Sequence, residues 1–274
     1  MNVVMVGPFG LRPRMTMAVR ALPLACALVE RGHRVTVLLP PWQNPEDAGQ
    51  QSEHLGVRVV NIALPARLPG LFHGLTALRL MAQALALRPD VVHLFKPKAY
   101  SGLAHWLLAR VPGRRPPLVV DADDWEGPGG WNDLGGYSRA QQRFFAWQER
   151  WGLTHADAVT VASRTLESLV WALGVPPTRV FYLPNGVATT NAAQPVAACP
   201  SVAAPPTILL YTRFFEFPVA RVIELLGRVR QRVPAVRLLV AGQGFFGEER
   251  ELLAQAHAAG LAQSVEYVGW VEPG

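Results

Sequence analysis

The sequence predicts an α/β protein made of two successive doubly wound parallel-sheet units, the second shorter than the first. Three observations carry this. Short Val/Leu/Ile-rich runs alternate with longer helical patterns, and continuous apolar strands mean a parallel sheet covered by helices on both faces. An Ala/Pro/Thr-rich, almost uncharged stretch at 187–206 breaks the rhythm and reads as a linker. The strand–helix rhythm then restarts and runs through three more strands to Gly274.

The elements follow in order. NVVMV (2–6) is a buried strand, the loop GPFGLRPR follows, and an apolar helix runs from about Thr16 to Arg31, where Gly32 stops it. HRVTVLL (33–39) and VRVVNIAL (57–64) are the next two strands. A helical stretch with Arg79 and Arg88 ends at Pro89, and DVVHLF (90–95) is strand four. Tyr100 to Arg110 is helical, PLVVD (117–121) is strand five, and a Gly-rich loop follows. Ser138 caps a helix to about Trp151, DAVTVA (157–162) is strand six, and Ser163 caps the next helix. RVFYL (179–183) leads to the turn Pro184-Asn185-Gly186. The domains expected are therefore 1–186, a linker at 187–206, and 207–274. The last holds TILLYT (207–212), VRLLVAG (236–242) and VEYVGW (265–270), with helices between them.

Composition narrows the function. Half of the 274 residues are apolar and 17% are charged, which excludes a mainly disordered chain. The two cysteines, Cys26 and Cys199, are far apart, so neither a disulfide scaffold nor a cysteine metal cluster is expected, and a reducing cytoplasm fits. The net charge is +6, but the arginines are scattered, so no nucleic-acid partner is expected. No apolar run is long enough to span a membrane. Residues 15–29 have some signal-peptide character, but Arg20 interrupts them and a strand precedes them; they read as a buried helix. The basic excess and the helix positions Arg139, Arg143, Phe144, Trp147 and Arg150 point to peripheral contact with the inner face of a membrane.

In such sheets ligands sit beyond the carboxyl ends of the strands, so the residues there are the candidates. Gly7-Pro8-Phe9-Gly10 follows strand one. Gly10 lets backbone N–H groups approach a phosphate, or the stretch is simply a tight turn. After strand four come Lys96 and Lys98, the two lysines of the whole chain. A compact ammonium suits a point contact to phosphate, and two solvated surface lysines are the alternative. After strand five, Asp121, Asp123, Asp124 and Glu126 crowd four carboxylates into six residues. They could ligate a divalent metal, supply a general base to a hydroxyl, or cap the Gly-rich loop; the base is favoured, with Asp123 as the candidate. Trp125 and Trp131 in that loop suit a sugar ring or a lipid chain, while Phe144, Trp147 and Trp151 share a helix face that reads as core packing. In the second unit, Arg213 follows the first strand and is placed for a diphosphate, and Gly242 and Gly244 form a phosphate-friendly turn.

Taken together, these stretches resemble the GT-B glycosyltransferases of the retaining family 4 group. The residues that carry the likeness are Glu30-Arg31-Gly32-His33-Arg34-Val35-Thr36-Val37, Asp90-Val91-Val92-His93, Ala156-Asp157-Ala158-Val159 with Ser163, Leu183-Pro184-Asn185-Gly186-Val187, Leu239-Val240-Ala241-Gly242-Gln243-Gly244 and Val268-Gly269. The ordered set spans nearly the whole chain. The resemblance implies two Rossmann-like domains and a nucleotide-sugar donor held mainly by the second. It implies a saccharide or lipid-linked acceptor facing the first, in polysaccharide biosynthesis. It also implies retaining hexosyl transfer without a cofactor or metal, the leaving group being stabilised by positive side chains and helix N-termini.

Three departures stand against the family pattern. Thr212-Arg213 takes the place of a Gly-Arg, and Pro218 the place of the Lys five residues on. Asp123 stands in the register of a His. The pair of glutamates that handles the donor sugar and ribose falls beyond Gly274, so the second domain is expected to be incomplete and the chain inactive by itself. A nucleotide-sugar epimerase on the same fold and a non-catalytic nucleotide-sugar binding protein are the alternatives.

Overall fold

The computed structural model describes residues 1–12, 15–66, 68, 70–134, 136–186, 205–214, 217–244 and 246–271. The chain divides into two compact units, Met1–Ala188 and Thr189–Gly274. The linker expected at 187–206 lies outside the described residues except for Pro205 and Pro206.

The first unit holds an eight-stranded sheet. Its strands are β1 (Asn2–Val6), β2 (Arg34–Leu39), β3 (Gln51–His54), β4 (Val57–Asn61), β5 (Val91–Phe95), β6 (Leu118–Ala122), β7 (Ala158–Val161) and β8 (Val180–Tyr182). The spatial order is β3-β4-β2-β1-β5-β6-β7-β8, parallel throughout except for the antiparallel β3–β4 pair. β3 was not expected from the sequence. All four of its residues are exposed and polar, so it carries no apolar signal; a turn with Leu55 at φ 49° and Gly56 at φ 79° folds it back on β4.

Period-two alternation splits the sheet into two apolar faces. Val4, Val6, Val92, Leu94, Val120, Val159 and Val161 pack against α2 (Phe72–Ala86), α3 (Ala99–Leu108), α5 (Arg139–His155) and α6 (Arg164–Ala172) through Leu80, Ala84, Ala104, Leu108, Leu153 and Val170. Val3, Met5, Val35, Val37 and Leu39 pack on the other side against Leu22 and Ala25 of α1 (Leu22–Glu30), which a π-helical turn, Met17–Ala21, precedes. A short α4 (Trp131–Leu134) stands before α5. The caps form as expected: Ser138 and Gln141 make a reciprocal capping box on α5, and the Ser163 side chain accepts from Leu166 N–H at the start of α6.

The second unit is a three-stranded parallel sheet, β11-β10-β9, from β9 (Thr207–Tyr211), β10 (Arg237–Ala241) and β11 (Val265–Gly269). The helices α7 (Val219–Arg232) and α8 (Glu248–Ala258) seat Ile223, Leu226, Leu252 and Ala256 on Leu238 and Val240. The arginines of α7 at 221, 228 and 232 are exposed, as an amphipathic helix requires. Among the described residues no helix is long and apolar enough to cross a membrane.

Candidate active site

Strand order in the first sheet reverses between β1 and β5: the chain runs from β1 out to β2 on one side and returns to β5 on the other. The carboxyl ends at such a switch point splay apart and leave a crevice. Three loops border it: Gly7–Gly10 after β1, Lys96–Lys98 after β5, and Asp123–Gly130 after β6.

The loop after β5 has backbone strain. Lys96 and Ala99 both adopt φ 52°, a left-handed conformation that non-glycine residues rarely take. Several bonds hold it there. Lys96 N–H donates to Asp121 C=O at 3.0 Å, and the Ser101 hydroxyl donates to the carbonyls of Lys96 and Lys98. Gln148 on α5 brackets Ala99, accepting from its N–H at 2.9 Å and donating to its C=O at 3.1 Å.

This backbone turns both lysines inward, onto the acidic loop. Lys96 Nζ lies 2.8 Å from Asp124 Oδ2, 3.1 Å from Glu126 Oε1 and 3.0 Å from Asp123 Oδ1, the last an ion pair outside hydrogen-bonding angle. Lys98 Nζ donates to Glu126 Oε2 at 2.6 Å and lies 4.6 Å from the centre of the Tyr137 ring and 4.9 Å from that of Phe145. Both lysines are buried, which removes the reading of two solvated surface groups. Burial works against the Lys96 charge, but Asp123, Glu126 and Asp124 outweigh it, so its pKa is raised.

The acidic stretch divides differently from strand alternation. Alternation would put Asp121 and Asp123 on one side and Asp124 on the other, but β6 ends at Ala122, and Asp123 and Asp124 converge on the same ammonium. Asp121 points away from them, into the α1 face. Arg20 grips it through a two-pronged fork, Nε to Oδ1 and Nη2 to Oδ2, both 2.7 Å. Thr160 Oγ1 donates to Asp121 Oδ2 at 2.6 Å, and His93 Nε2 lies 3.2 Å from that hydroxyl. Burial pushes the His93 imidazole's pKa down. Arg20 also donates to Asn185 Oδ1 at 2.7 Å and Leu183 C=O at 3.0 Å, which ties the π-helical turn to the chain after β8.

Asp123 stays ionisable near neutrality. Burial raises its pKa, Lys96 pulls it down, Asp124 and Asp121 push it up again, and the balance lies at about 6. The Gly-rich loop beyond it is anchored by other groups: Glu126 N–H donates to Glu149 Oε1 at 2.7 Å, Gly129 N–H to Asp133 Oδ2 at 2.6 Å, and Trp125 Nε1 to Pro128 C=O at 2.8 Å. Only glycine fits at 130, where a Cβ would collide with the Trp125 carbonyl. Trp125 is half-buried against the core. Glu149 is 1% exposed, and burial raises its pKa to about 8, with the Glu126 carboxylate adding to the rise and the Glu126 N–H opposing it.

Among the described residues no three His, Cys, Asp or Glu side chains group to hold a metal ion; the carboxylates of the acidic stretch close on ammonium and guanidinium groups instead. In the first loop, Gly7 is the tight position. A Cβ there would meet Met17 Sδ at 2.8 Å and Leu39 Cδ2 at 2.9 Å, whereas at Gly10 the nearest atom, Arg12 O, is 3.5 Å away.

In the second unit the strands lie in chain order, and its candidate residues also follow the strand ends. Arg213 is exposed just past β9, and Pro218 stands at the N-cap of α7. Gly242 has φ 122°, and a Cβ there would collide with the Thr212 carbonyl, so the turn needs glycine. The start of α8 already carries carboxylates: Glu249 Oε2 accepts from Gly244 N–H at 3.2 Å and Glu248 Oε2 from Phe246 N–H at 2.7 Å.

Residues 16–186, more than half of the chain, match the model of the glycosyl transferase 4-like domain. The chain belongs to that family. No curated protein matches it in sequence. Its structure is similar to an apo lipopolysaccharide outer core galactosyltransferase, WaaB, at 14% identity and TM-score 0.66, covering 99% of this chain and 69% of that one. It is similar to HepE of Anabaena in complex with UDP and glucose, at 18% identity and TM-score 0.61, covering 99% and 70%. It is also similar to the UDP-GlcNAc 2-epimerase of Methanocaldococcus jannaschii, at 9% identity and TM-score 0.57, covering 100% and 74%. At these identities the likenesses show the fold, GT-B with Rossmann-like units.

Arg20 and Glu149 are the site residues that sequence reasoning missed. Each leaves a signal: Arg20 is the one charge inside an apolar helix, and Glu149 is the one acid of α5. A lone charge at a core-facing position needs a buried partner.

Proposed function

We propose that this protein moves a hexosyl group from a nucleotide-sugar donor to the hydroxyl of a saccharide or lipid-linked acceptor, with retention of configuration and without a metal or cofactor, in the cytoplasm. The observation that carries this is Asp123: a carboxylate at the carboxyl end of β6, beside the switch-point crevice of a glycosyl transferase 4-like domain, with a pKa near 6. A base with that pKa is ionised at neutral pH and basic enough to take the acceptor's proton as the glycosidic bond forms. Lys96 keeps Asp123 and Asp124 in place as their shared counter-ion. The two lysines support this role better than a phosphate contact, since each already meets carboxylates at 2.6–3.1 Å. Trp125 and Trp131 border the same loop and offer apolar surface to an acceptor sugar. Arg213, Gly242 and Gly244 are assigned to the donor diphosphate, with the glutamates of α8 opposing an anion at that helix end.

The decisive variant is Asp123→Asn. Its turnover falls on the order of a hundredfold, while donor affinity stays intact. A variant with lower thermal stability and a raised acceptor KM, but near-normal turnover, would make Asp123 a loop residue and defeat the assignment. The epimerase neighbour supports a second reading on the same fold; it predicts inversion of the donor sugar with no glycosylated acceptor.

A further inference from the structure

The buried residues of α5 are Gln148, Glu149, Gly152 and Leu153. The first three shape the two loops beside the crevice. Gln148 brackets Ala99 after β5. Gly152 lets the same loop lie on the helix, since a Cβ there would come within 2.7 Å of Pro97 Cβ. Glu149 takes the loop after β6. Its Oε1 accepts from Glu126 N–H at 2.7 Å. Its Oε2 is buried and has no hydrogen-bond partner among the described residues. That oxygen meets the loop at Gly127, where a Cβ would come within 2.7 Å of it.

From Glu126 the contacts run on through side chains. Its carboxylate ties both lysines, Oε1 to Lys96 Nζ at 3.1 Å and Oε2 to Lys98 Nζ at 2.6 Å, and Lys96 Nζ lies 3.0 Å from Asp123 Oδ1. Asp123, Asp124 and Glu126 thus already share the two ammonium groups. A fourth carboxylate ionised beside Glu126 would repel it across a buried, poorly screened gap. A carboxyl in that position is held as the neutral acid, in keeping with the pKa of about 8 that burial gives it. The charged groups acting on Glu149 from the loops are the Glu126 carboxylate and Lys98. Of the helices packed on α5, α3 contributes His105, which burial keeps neutral. The short α4 contributes Asp133, which is exposed and accepts from Gly129 N–H.

We infer that Glu149 is a positioning residue of this site: as a neutral acid it anchors the Glu126 backbone, so that the Glu126 carboxylate fixes Lys98 and Lys96, and Lys96 fixes Asp123. This deepens the proposed function and rests on that reading only for Asp123 as the base. An ordinary loop anchor needs no particular protonation state. Glu149 does, because its anion would face the carboxylate of the residue whose N–H it holds. Loss of its proton turns repulsion on Glu126 and loosens the lysines from Asp123. The arrangement is therefore complete between two titrations, with Asp123 ionised and Glu149 still protonated, from about pH 6 to about pH 8.

The chain's two lysines are its own reporters, since both belong to this cluster. Isotopic labelling of lysine Cε gives one NMR signal from each, and Lys98→Met assigns them. In a pH titration without donor or acceptor, both wild-type signals step with a midpoint of about 8. The Lys96 signal steps again at about 6, as Asp123 titrates. Glu149→Gln, which has the shape of the neutral acid, keeps both signals at their wild-type positions for neutral pH and removes the upper step. Glu149→Ala, which cannot accept from Glu126 N–H, displaces both signals at every pH; if it fails to fold, the Gln variant decides alone. No upper step in the wild type, or the same step in Glu149→Gln, overturns the inference. Failure of the Asp123 reading looks different: Asp123→Asn keeps its turnover, or keeps the lower step, while the upper step is unaffected. The loop role of Glu149 then stands without the transfer chemistry.

Discussion

The two sets of strand ends, β5–β6 in the first unit and β9–β10 in the second, both lie at the carboxyl ends of paired parallel strands but are built in different ways. The first is a buried set of side-chain charges: the fork Arg20–Asp121, and Lys96 and Lys98 closed on Asp123, Asp124 and Glu126. The second is shaped by backbone: Gly242 at a left-handed φ against the Thr212 carbonyl, with Arg213 exposed beside it. The difference teaches where each unit is vulnerable. Buried charges cost stability when one partner is lost, because the other remains desolvated. An exposed cation at a glycine turn costs little stability and acts on whatever binds.

The largest effect is expected from Asp121→Asn, which keeps the shape and leaves the Arg20 guanidinium buried without a counter-charge. Urea denaturation should show a loss of about 3–5 kcal/mol, the range for breaking a buried pair. A loss well under 1 kcal/mol would mean that water reaches the fork and that the two regions do not differ in this way.

Arg213→Ala tests the other side. Thermal stability should stay close to wild type, while calorimetry shows UDP or GDP binding weakened by about 1.5–3 kcal/mol, the worth of a charge-assisted hydrogen bond. Unchanged affinity would remove Arg213 from the donor site. Unfolding of the second unit would instead place it in the scaffold.

A further effect is a pH dependence. Glu149 has its pKa raised to about 8 in the folded chain, above its unfolded value. The folded state therefore holds this proton while the unfolded state has lost it. Stability from this group falls as pH climbs from the ordinary glutamate range to about 8 and is flat above. Glu149→Gln should flatten that slope, raising the melting temperature at pH 8.5, at about 2–4 °C per kcal/mol, and changing it little at pH 5. A parallel shift at both pH values would show that Glu149 is ionised throughout.

Much of this was legible in the residues. Apolar runs mark every strand except β3, whose four exposed polar residues hold no pattern to detect. Glycine and serine punctuation marks the helix ends, and the acidic run and the paired lysines mark the loops that border the crevice. What stayed hidden was partnership. Asp121 and Asp123 look equivalent in a crowded stretch, yet one meets a guanidinium from a helix 101 positions earlier and the other an ammonium from the neighbouring strand end. The aromatic row of α5 allowed two readings, core packing and an outward face that includes Phe144 and Trp147, for a related reason: spacing shows that Phe144, Trp147 and Trp151 share a face, but not whether that face turns inward, and Phe144 and Trp147 are exposed.

The sequence by itself determined the α/β class, the strand–helix order, the location of the candidate loops at strand ends and the family. Each is written in local periodicity or in residues close along the chain, where backbone geometry alone decides the outcome. Only the tertiary structure decided which carboxylate faces which cation, which acids keep their protons near neutral pH, and which side of α5 meets solvent. Those outcomes depend on burial and on charges brought together from distant segments, and desolvation and Coulomb energies act through space rather than along the chain.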